Sequence, residues 1–180
     1  DRTEFDIIGS MDPAKEVGGD FYDYFLIDED HLCMLIADVS GKGIPAALFM
    51  MASKILIKNR VMTGESPGKV LRAVNNQICE NNREDMFVTV WLGILEISTG
   101  KLTSASAGHE YPMININGKY ELLKDKHGLA IGAMPMAKYK NTEIMLKKGD
   151  SIFVYTDGVA EATDAHNELF GTDRTVAALN

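Results

Sequence analysis

Residues 20–39 read DFYDYFLIDEDHLCMLIADV, and this stretch decides the fold. Its aromatic, branched and other apolar side chains predict two strands, Phe21–Ile27 and His31–Val39. The three acidic residues between them, 28–30, are polar enough to form a turn at the surface. Because so short a turn joins antiparallel neighbours, we expect the two strands to pair as a hairpin.

The register of this hairpin brings two carboxylates together. With residues 28–30 as the turn, Ile27 faces His31, and the same pairing carried outward places Asp20 opposite Asp38. Side chains that face each other in an antiparallel pair have Cβ atoms about 5 Å apart. Two ionised carboxylates at that distance repel each other and need either a shared proton or a cation. No arginine lies in this stretch, so coordination of a hard cation is the sharper hypothesis, provided that no bulge shifts the register.

The remaining sequence predicts an α+β fold with one domain. One helix is expected over about residues 45–62, with Ala47, Met51 and Ile55 on its packed face, and a second begins after Ser66 as N-cap. Strands are expected at Met86–Ile97, Lys101–Ala107, Met113–Ile116, Tyr120–Leu123, Thr142–Leu146 and Ser151–Thr156, and short helices near 159–163 and from Thr172. The last two strands flank residues 148–150 and should form a hairpin. Two long helices between two groups of antiparallel strands favour stacked sheets with helices outside.

Composition restricts the class of function. The 180 residues are 46% hydrophobic and 24% charged, which suits a single globular domain spanning residues 1–180. A net charge of −8 argues against binding to nucleic acid or to an anionic membrane surface. Cys33 and Cys79 form neither a disulfide framework nor a zinc-binding spacing, which favours a reducing, cytoplasmic location. No stretch has the length of a membrane span or the pattern of a signal peptide.

A third aspartate occurs in a similar setting. Asp157 follows the predicted strand Ser151–Thr156, and Gly158 after it would let the backbone turn sharply away. Asp20, in turn, follows two glycines. Aspartate and glycine are common at turns for conformational reasons alone, so any one of these acids is a weak signal. Three acids at the ends of strands together favour a cation site.

Five ordered motifs resemble those of the PPM-type metal-dependent serine/threonine phosphatases of the bacterial sporulation and stress-response class, the SpoIIE/RsbU group. They are PAKEVGGDFYD at residues 13–23, ADVSGKGIPAA at 37–47, MFVT at 86–89, AGHEYP at 107–112 and YTDGVAEA at 155–162. Residues 169–171, LFG, continue the series. The similarity covers nearly the whole chain, and the order of the motifs makes it specific.

This resemblance implies a four-layer αββα sandwich, in which two antiparallel sheets lie between helices and two Mn²⁺ or Mg²⁺ ions bind at one edge. The metal ligands carried over by position are Asp20, Asp38, the Val39 carbonyl and Asp157. A metal-bound water would then attack phosphoserine or phosphothreonine, so no side-chain nucleophile is needed. Candidates for the surroundings of the metals are Glu16, Gly41, His109 and Gly158. For His109, a purely structural, hydrogen-bonded role is the alternative interpretation.

The resemblance also implies a phosphoprotein substrate of the anti-sigma-factor-antagonist type and an upstream sensory or receiver domain in a larger parent chain. Family members usually end in a strand with a further metal-binding aspartate, whereas this sequence stops at Asn180 within the preceding helix. We therefore expect a C-terminally incomplete domain in which the second metal is weak or missing. The alternative hypothesis is a phosphatase fold with little or no activity that serves as an interaction module.

Overall fold

The computed structural model describes residues 2–12, 18–82 and 85–180. Glu16 therefore lies outside the described residues. The elements, in chain order, are β1 (Phe21–Leu26), β2 (His31–Val39), α1 (Ile44–Val61), α2 (Pro67–Cys79), β3 (Val88–Glu96), β4 (Lys101–Ala107), β5 (Met113–Ile116), β6 (Lys119–Leu122), β7 (Thr142–Met145), β8 (Ser151–Phe153), α3 (Asp157–Ala160) and α4 (Gly171–Leu179). Most of these bounds lie within a few residues of those predicted from the sequence.

The described strands form two antiparallel sheets. The larger has the order β1-β2-β3-β4-β7 and the smaller has the order β6-β5-β8. Neighbouring strands in both sheets run antiparallel. In the described part of the chain, four helices accompany the sheets, so the predicted class of two antiparallel sheets flanked by helices is confirmed. None of the described helices has both the length and the apolar character needed to cross a membrane.

The predicted hairpin between the last two strands is wrong. Strand β7 pairs with β4 in the larger sheet, whereas β8 pairs with β5 in the smaller one. The turn between them does form, because the backbone N–H of Asp150 donates to the Lys147 carbonyl at 2.9 Å and the Asp150 carboxylate accepts from the Lys147 N–H at 2.8 Å. This turn carries the chain from one sheet to the other. Turn chemistry therefore marks the change of direction but does not select the strand edge that each arm joins.

The packed face of α1 also differs from the predicted one. Met51 and Ile55 are more than half exposed, at 55% and 56%, and Ala47 is half-buried. The residues that α1 buries are Ala46, Ser53, Ile57 and Val61. Because apolar side chains occur on nearly every side of α1, their spacing predicts a helix without indicating which side packs.

The hydrophobic core lies between the larger sheet and the two long helices. Its members from β2 and β3 alternate along each strand, as expected for a sheet with one face packed. The core residues contributed by β2, α1, α2 and β3 include Leu35, Ala37, Val39, Ile57, Val61, Val70, Leu71, Val74, Val88, Val90 and Leu92. Asp38 therefore sits between two buried neighbours, and its backbone position is set by a packed strand.

Asn75 on α2 ties the loop after β6 to the core. Its side chain is fully buried, its Nδ2 donates to the Met134 carbonyl at 2.9 Å, and its Oδ1 accepts from the Gly132 N–H at 3.0 Å.

We expect Asn75→Ala to lower the free energy of unfolding by about 3 kcal/mol, because two backbone groups lose their partners. Denaturant unfolding measures this loss. The matched variant is Asn76→Ala, whose Oδ1 accepts from Met136 N–H at the surface, and an equal loss in both variants would contradict the argument.

Candidate metal centre

The paired carboxylates lie where the sequence places them. The observed register runs from Phe21 opposite Ala37 to Leu26 opposite Leu32, without a bulge. Asp20 is the next residue outward on the same register, and its carboxyl group lies close enough to Asp38 to raise the pKa of Asp38. The predicted register is therefore confirmed.

The pKa of the Asp38 carboxyl is raised from 3.8 to about 7, chiefly by burial and then by the neighbouring Asp20 carboxyl. The charges of Asp157 and Glu161 make smaller contributions to the same shift. Without a cation, then, the pair holds a proton at or below neutral pH. A divalent ion would relieve the same repulsion, because it favours the ionised form of each carboxyl group.

Asp157 faces Asp38 across a cleft where the two sheets meet. The cleft is lined by Asp38, Thr89, Gly108, His109, Glu110 and Asp157. Asp157 is the first residue of α3, and the preceding Thr156 donates its hydroxyl to Asp20 Oδ2 at 2.8 Å. This bond ties the chain after β8, in the smaller sheet, to the start of the β1–β2 hairpin in the larger one. Gly158 is the second residue of α3, so the chain leaves the direction of the strand and enters a helical turn at this point.

The Val39 carbonyl lies next to the glycine that precedes Asp20. A Cβ placed on Gly19 would be 2.8 Å from the Val39 oxygen, so only glycine allows this approach. The carbonyl predicted to bind a metal is thus close to the chain that carries Asp20. Gly41, by contrast, lies in an exposed loop with φ +89° and is absent from the described lining of the cleft.

His109 is buried at the inner wall of the cleft, at 3% exposure. Its Nε2 donates to the Tyr155 carbonyl at 3.0 Å, so its Nδ1 accepts from the Thr89 hydroxyl at 2.9 Å. Burial lowers the pKa of the imidazole to about 4, which keeps it neutral at physiological pH. Both ring nitrogens are engaged, and the side chain connects β3 to the chain after β8. The contacts of His109 are therefore those of the structural, hydrogen-bonded interpretation. The residue also lines the cleft beside the predicted metal ligands.

The donor set suits a hard cation, because carboxylate and carbonyl oxygens are the ligands that Mg²⁺ and Mn²⁺ prefer. The Asp20 carboxyl is close enough to raise the pKa of Asp38, and Asp157 lines the same cleft as Asp38. In the ranges that the structure describes, no three acidic, histidine or cysteine side chains converge closely enough to enclose an ion as they stand. The arrangement is thus a pair of acids with a third facing it.

The site contains groups that the sequence did not single out. Thr89 and Glu110 line the cleft, Thr156 binds Asp20, and Glu161 lies close enough for its charge to raise the pKa of Asp38. Thr89, Glu110, Thr156 and Glu161 all fall within the quoted motifs, which was the available signal. Their roles depend on strand pairing and on the meeting of two sheets, which spacing along the chain does not reveal.

The two-sheet fold is that of the PP2C-like phosphatases. The chain resembles the SiaA-PP2C domain of Pseudomonas aeruginosa with a TM-score of 0.78 at 24% identity, covering 90% of this chain and 65% of that one. It resembles RsbX in complex with magnesium with a TM-score of 0.68 at 19% identity, covering 92% and 80%. At these identities the likeness shows the fold alone.

The family follows from the sequence comparisons. The model of the stage II sporulation protein E (SpoIIE) family matches residues 28–180, and this chain belongs to that family. It is 38% identical over 152 residues to phosphoserine phosphatase RsbU of Bacillus subtilis, covering 83% of this chain and 44% of RsbU. It is 32% identical over 209 residues to protein IcfG of Synechocystis sp., covering 99% of this chain and 32% of IcfG. The chain thus spans less than half the length of these relatives.

Proposed function

We propose that this domain hydrolyses phosphoserine or phosphothreonine on a protein with the help of Mn²⁺ or Mg²⁺, two ions in the complete domain. The observation that carries the proposal is the Asp20–Asp38 carboxyl pair facing Asp157 on one cleft. The name of the relative RsbU, phosphoserine phosphatase, supports the reaction, and the magnesium complex of RsbX supports the kind of ion. Asp20, Asp38, the Val39 carbonyl and Asp157 would hold the ions.

Divalent ions at these ligands would activate a water molecule near neutral pH and offset the negative charge of the phosphoryl oxygens. The remaining residues keep the ligands in place. The Thr156 hydroxyl binds Asp20 Oδ2 and orients that carboxylate, and the neutral imidazole of His109 holds Thr89 beside the Asp38 strand end. The Asp38 carboxyl must lose its proton to bind a cation, so cation binding strengthens as the pH rises toward 7.

The proposal extends to the biological setting. The substrate would be a small phosphoprotein of the anti-sigma-factor-antagonist type in a cytoplasmic bacterial signalling pathway, and an upstream sensory or receiver domain of the parent chain would control the activity. The names of two relatives, the phosphoserine phosphatases RsbU and RsbP of Bacillus subtilis, support phosphoserine as the group that is hydrolysed.

The test is hydrolysis of p-nitrophenyl phosphate and of a phosphoserine peptide, each with Mn²⁺ and with a chelator. We expect turnover with Mn²⁺ and background rates with the chelator. Turnover that is independent of metal and equal in the native protein and Asp38→Asn would contradict the proposal. Calorimetric binding of Mn²⁺ without turnover of either substrate would favour the interaction-module hypothesis instead.

A further inference from the structure

The chain between β6 and β7 presents apolar side chains at the surface. Residues 133–136, which read AMPM, are all exposed. The side chains of Met134 and Met136 are 54% and 68% exposed, and neither lines the cleft. Methionine is flexible and adapts to the shape of a partner, which is why it is frequent at protein-binding surfaces.

Hydrogen bonds hold this loop against α2. Asn76 Oδ1, near the C-terminal end of α2, accepts from the Met136 N–H at 3.0 Å. At the other end of α2, the Gly68 N–H donates to Asn141 Oδ1 at 2.8 Å. Residues 136–141 therefore run beside α2 in the opposite direction, and the two segments share one surface.

Two lysines follow the methionines on this surface. Ala137 and Tyr139 are buried members of the hydrophobic core, whereas Lys138 and Lys140, which alternate with them, are exposed. Because buried and exposed residues alternate here, Met136 and both lysines face outward. The exposed methionines thus continue into a basic segment.

Helix α2 adds two further cations. Lys69 and Arg72 are exposed and lie seven and four residues before Asn76, which places all three on one side of the helix. Asn76 contacts Met136, so this side of α2 borders the loop. We call the combined area the α2 surface, and its members are Lys69, Arg72, Met134, Met136, Lys138 and Lys140.

The charge of the α2 surface is opposite to that of the protein as a whole. The chain has a net charge of −8, yet residues 66–79 and 126–142 contain no aspartate or glutamate. None of the four cations forms a salt bridge with a residue that the structure describes. An exposed apolar area bordered by unpaired cations fits a partner that presents acidic side chains among apolar ones.

The α2 surface lies within reach of a substrate bound in the cleft. Ile131 pairs with Val88, and their backbones exchange two hydrogen bonds of 2.9 Å. Val88 directly precedes Thr89 of the cleft lining, and Ile131 precedes Met134 by three residues. Chain geometry therefore limits the distance between the Cα atoms of Thr89 and Met134 to about 21 Å. An extended peptide spans that distance with about seven residues.

We propose that the α2 surface binds an acidic segment of the phosphoprotein substrate, with apolar side chains among its acids, while the phosphorylated residue occupies the cleft. The inference rests on the proposed phosphatase function. Docking away from the reacting phosphorus is equally strong in the ground state and in the transition state, so it lowers KM and leaves kcat unchanged. Substrates without such a segment gain nothing from the α2 surface.

Phosphoserine peptides with different tails test this docking. Each peptide has the same residues around phosphoserine and carries, about seven residues away on either side, a tail of alternating glutamate and leucine or of alternating asparagine and serine. With Mn²⁺ and the native protein, we expect the KM to be about 10-fold lower for the acidic tail in its better position, at equal kcat. Raising the salt concentration to about 0.5 M should reduce this preference, because the cations are exposed.

Charge reversal on the α2 surface should remove the preference. We expect Lys138→Glu combined with Lys140→Glu to give similar KM values for both tails and unchanged turnover of p-nitrophenyl phosphate. Arg72→Glu should weaken the preference in the same way, and it keeps the test available if the double variant does not fold. The matched control reverses two exposed lysines elsewhere, Lys119→Glu with Lys148→Glu, and should retain the preference.

Three outcomes would contradict the inference. Equal KM values for both tails in the native protein, or an equal loss of preference in both double variants, would overturn substrate docking and leave the phosphatase proposal standing. Co-sedimentation of the protein with phosphatidylglycerol vesicles, lost only in the variant of Lys138 and Lys140 and accompanied by equal KM values, would assign the surface to a lipid partner instead. Absence of Mn²⁺-dependent turnover of p-nitrophenyl phosphate would overturn the phosphatase proposal and the docking role with it.

Discussion

Asp38→Asn is expected to abolish metal-dependent turnover and, at the same time, to stabilise the metal-free protein above pH 7. Turnover with saturating Mn²⁺ should fall by about 10³-fold or more, because the amide contributes no charge to hold the cations that activate water. The stabilisation arises because the native carboxyl is ionised above pH 7 beside Asp20, Asp157 and Glu161. Asparagine removes that repulsion.

The pH dependence of this effect has a definite sign. The pKa of Asp38 is about 7 in the folded protein and near 3.8 when the chain is unfolded, so the folded state binds the extra proton between these values. The free energy of unfolding therefore falls as the pH rises from about 4 to 7, and the full cost of ionisation is present above 7. Because Asp38 is partly exposed, solvent screening reduces this cost to about 1–2 kcal/mol.

Urea unfolding in chelator at pH 5 and pH 8 measures the stability difference, and a phosphatase assay with Mn²⁺ measures the loss of turnover. Asp23→Asn is the matched control, because Asp23 lies on the same hairpin but pairs with Lys54 and Lys58 at 3.7 Å each. It should retain activity and gain no stability. Retained turnover in Asp38→Asn, or a stability difference equal at both pH values, would refute the account of the acidic pair.

His109→Ala is expected to weaken both the fold and metal binding. The Thr89 hydroxyl and the Tyr155 carbonyl lose their partner in a buried setting, and a cavity remains, so we expect a loss of about 3 kcal/mol in the free energy of unfolding. Because the imidazole supports the Asp38 strand end and the chain leading to Asp157, affinity for Mn²⁺ should fall by about 10- to 100-fold. Calorimetric titration with Mn²⁺ measures this fall.

The pH dependence for His109 has the opposite sign to that for Asp38. Its pKa is about 4 in the folded protein and near 6.5 in the unfolded chain, so the unfolded state binds the extra proton between these values. Native stability is therefore lost as the pH falls from about 6.5 to 4, and His109→Ala should lack this loss. His166→Ala is the control, because His166 is 86% exposed. A variant whose stability declines with acid as steeply as that of the native protein would contradict the buried neutral imidazole.

Much of the candidate site could be predicted because it depends on local pairing. The short turn at residues 28–30 connects two apolar strands, and this is sufficient to place Asp20 opposite Asp38. The position of Asp157 after a strand was also evident, although its place across the cleft from Asp38 was not. That place depends on the meeting of β8, in the smaller sheet, with the hairpin of the larger one, a contact between segments more than 100 residues apart.

Periodicity and turn residues alone determined the two long helices, the first hairpin with its register, and the class of fold, because these patterns act between residues close in the chain. The tertiary structure decided which sheet β7 and β8 each join, which side of α1 packs, and which polar groups surround the acids. A turn bends the chain in the same way whichever edge its arms reach, and a helix that is apolar on nearly every side can pack on several. The sheet that each strand joins and the side of α1 that packs are decided by how much apolar surface the whole chain buries. No single segment contains enough of the hydrophobic core to decide them alone.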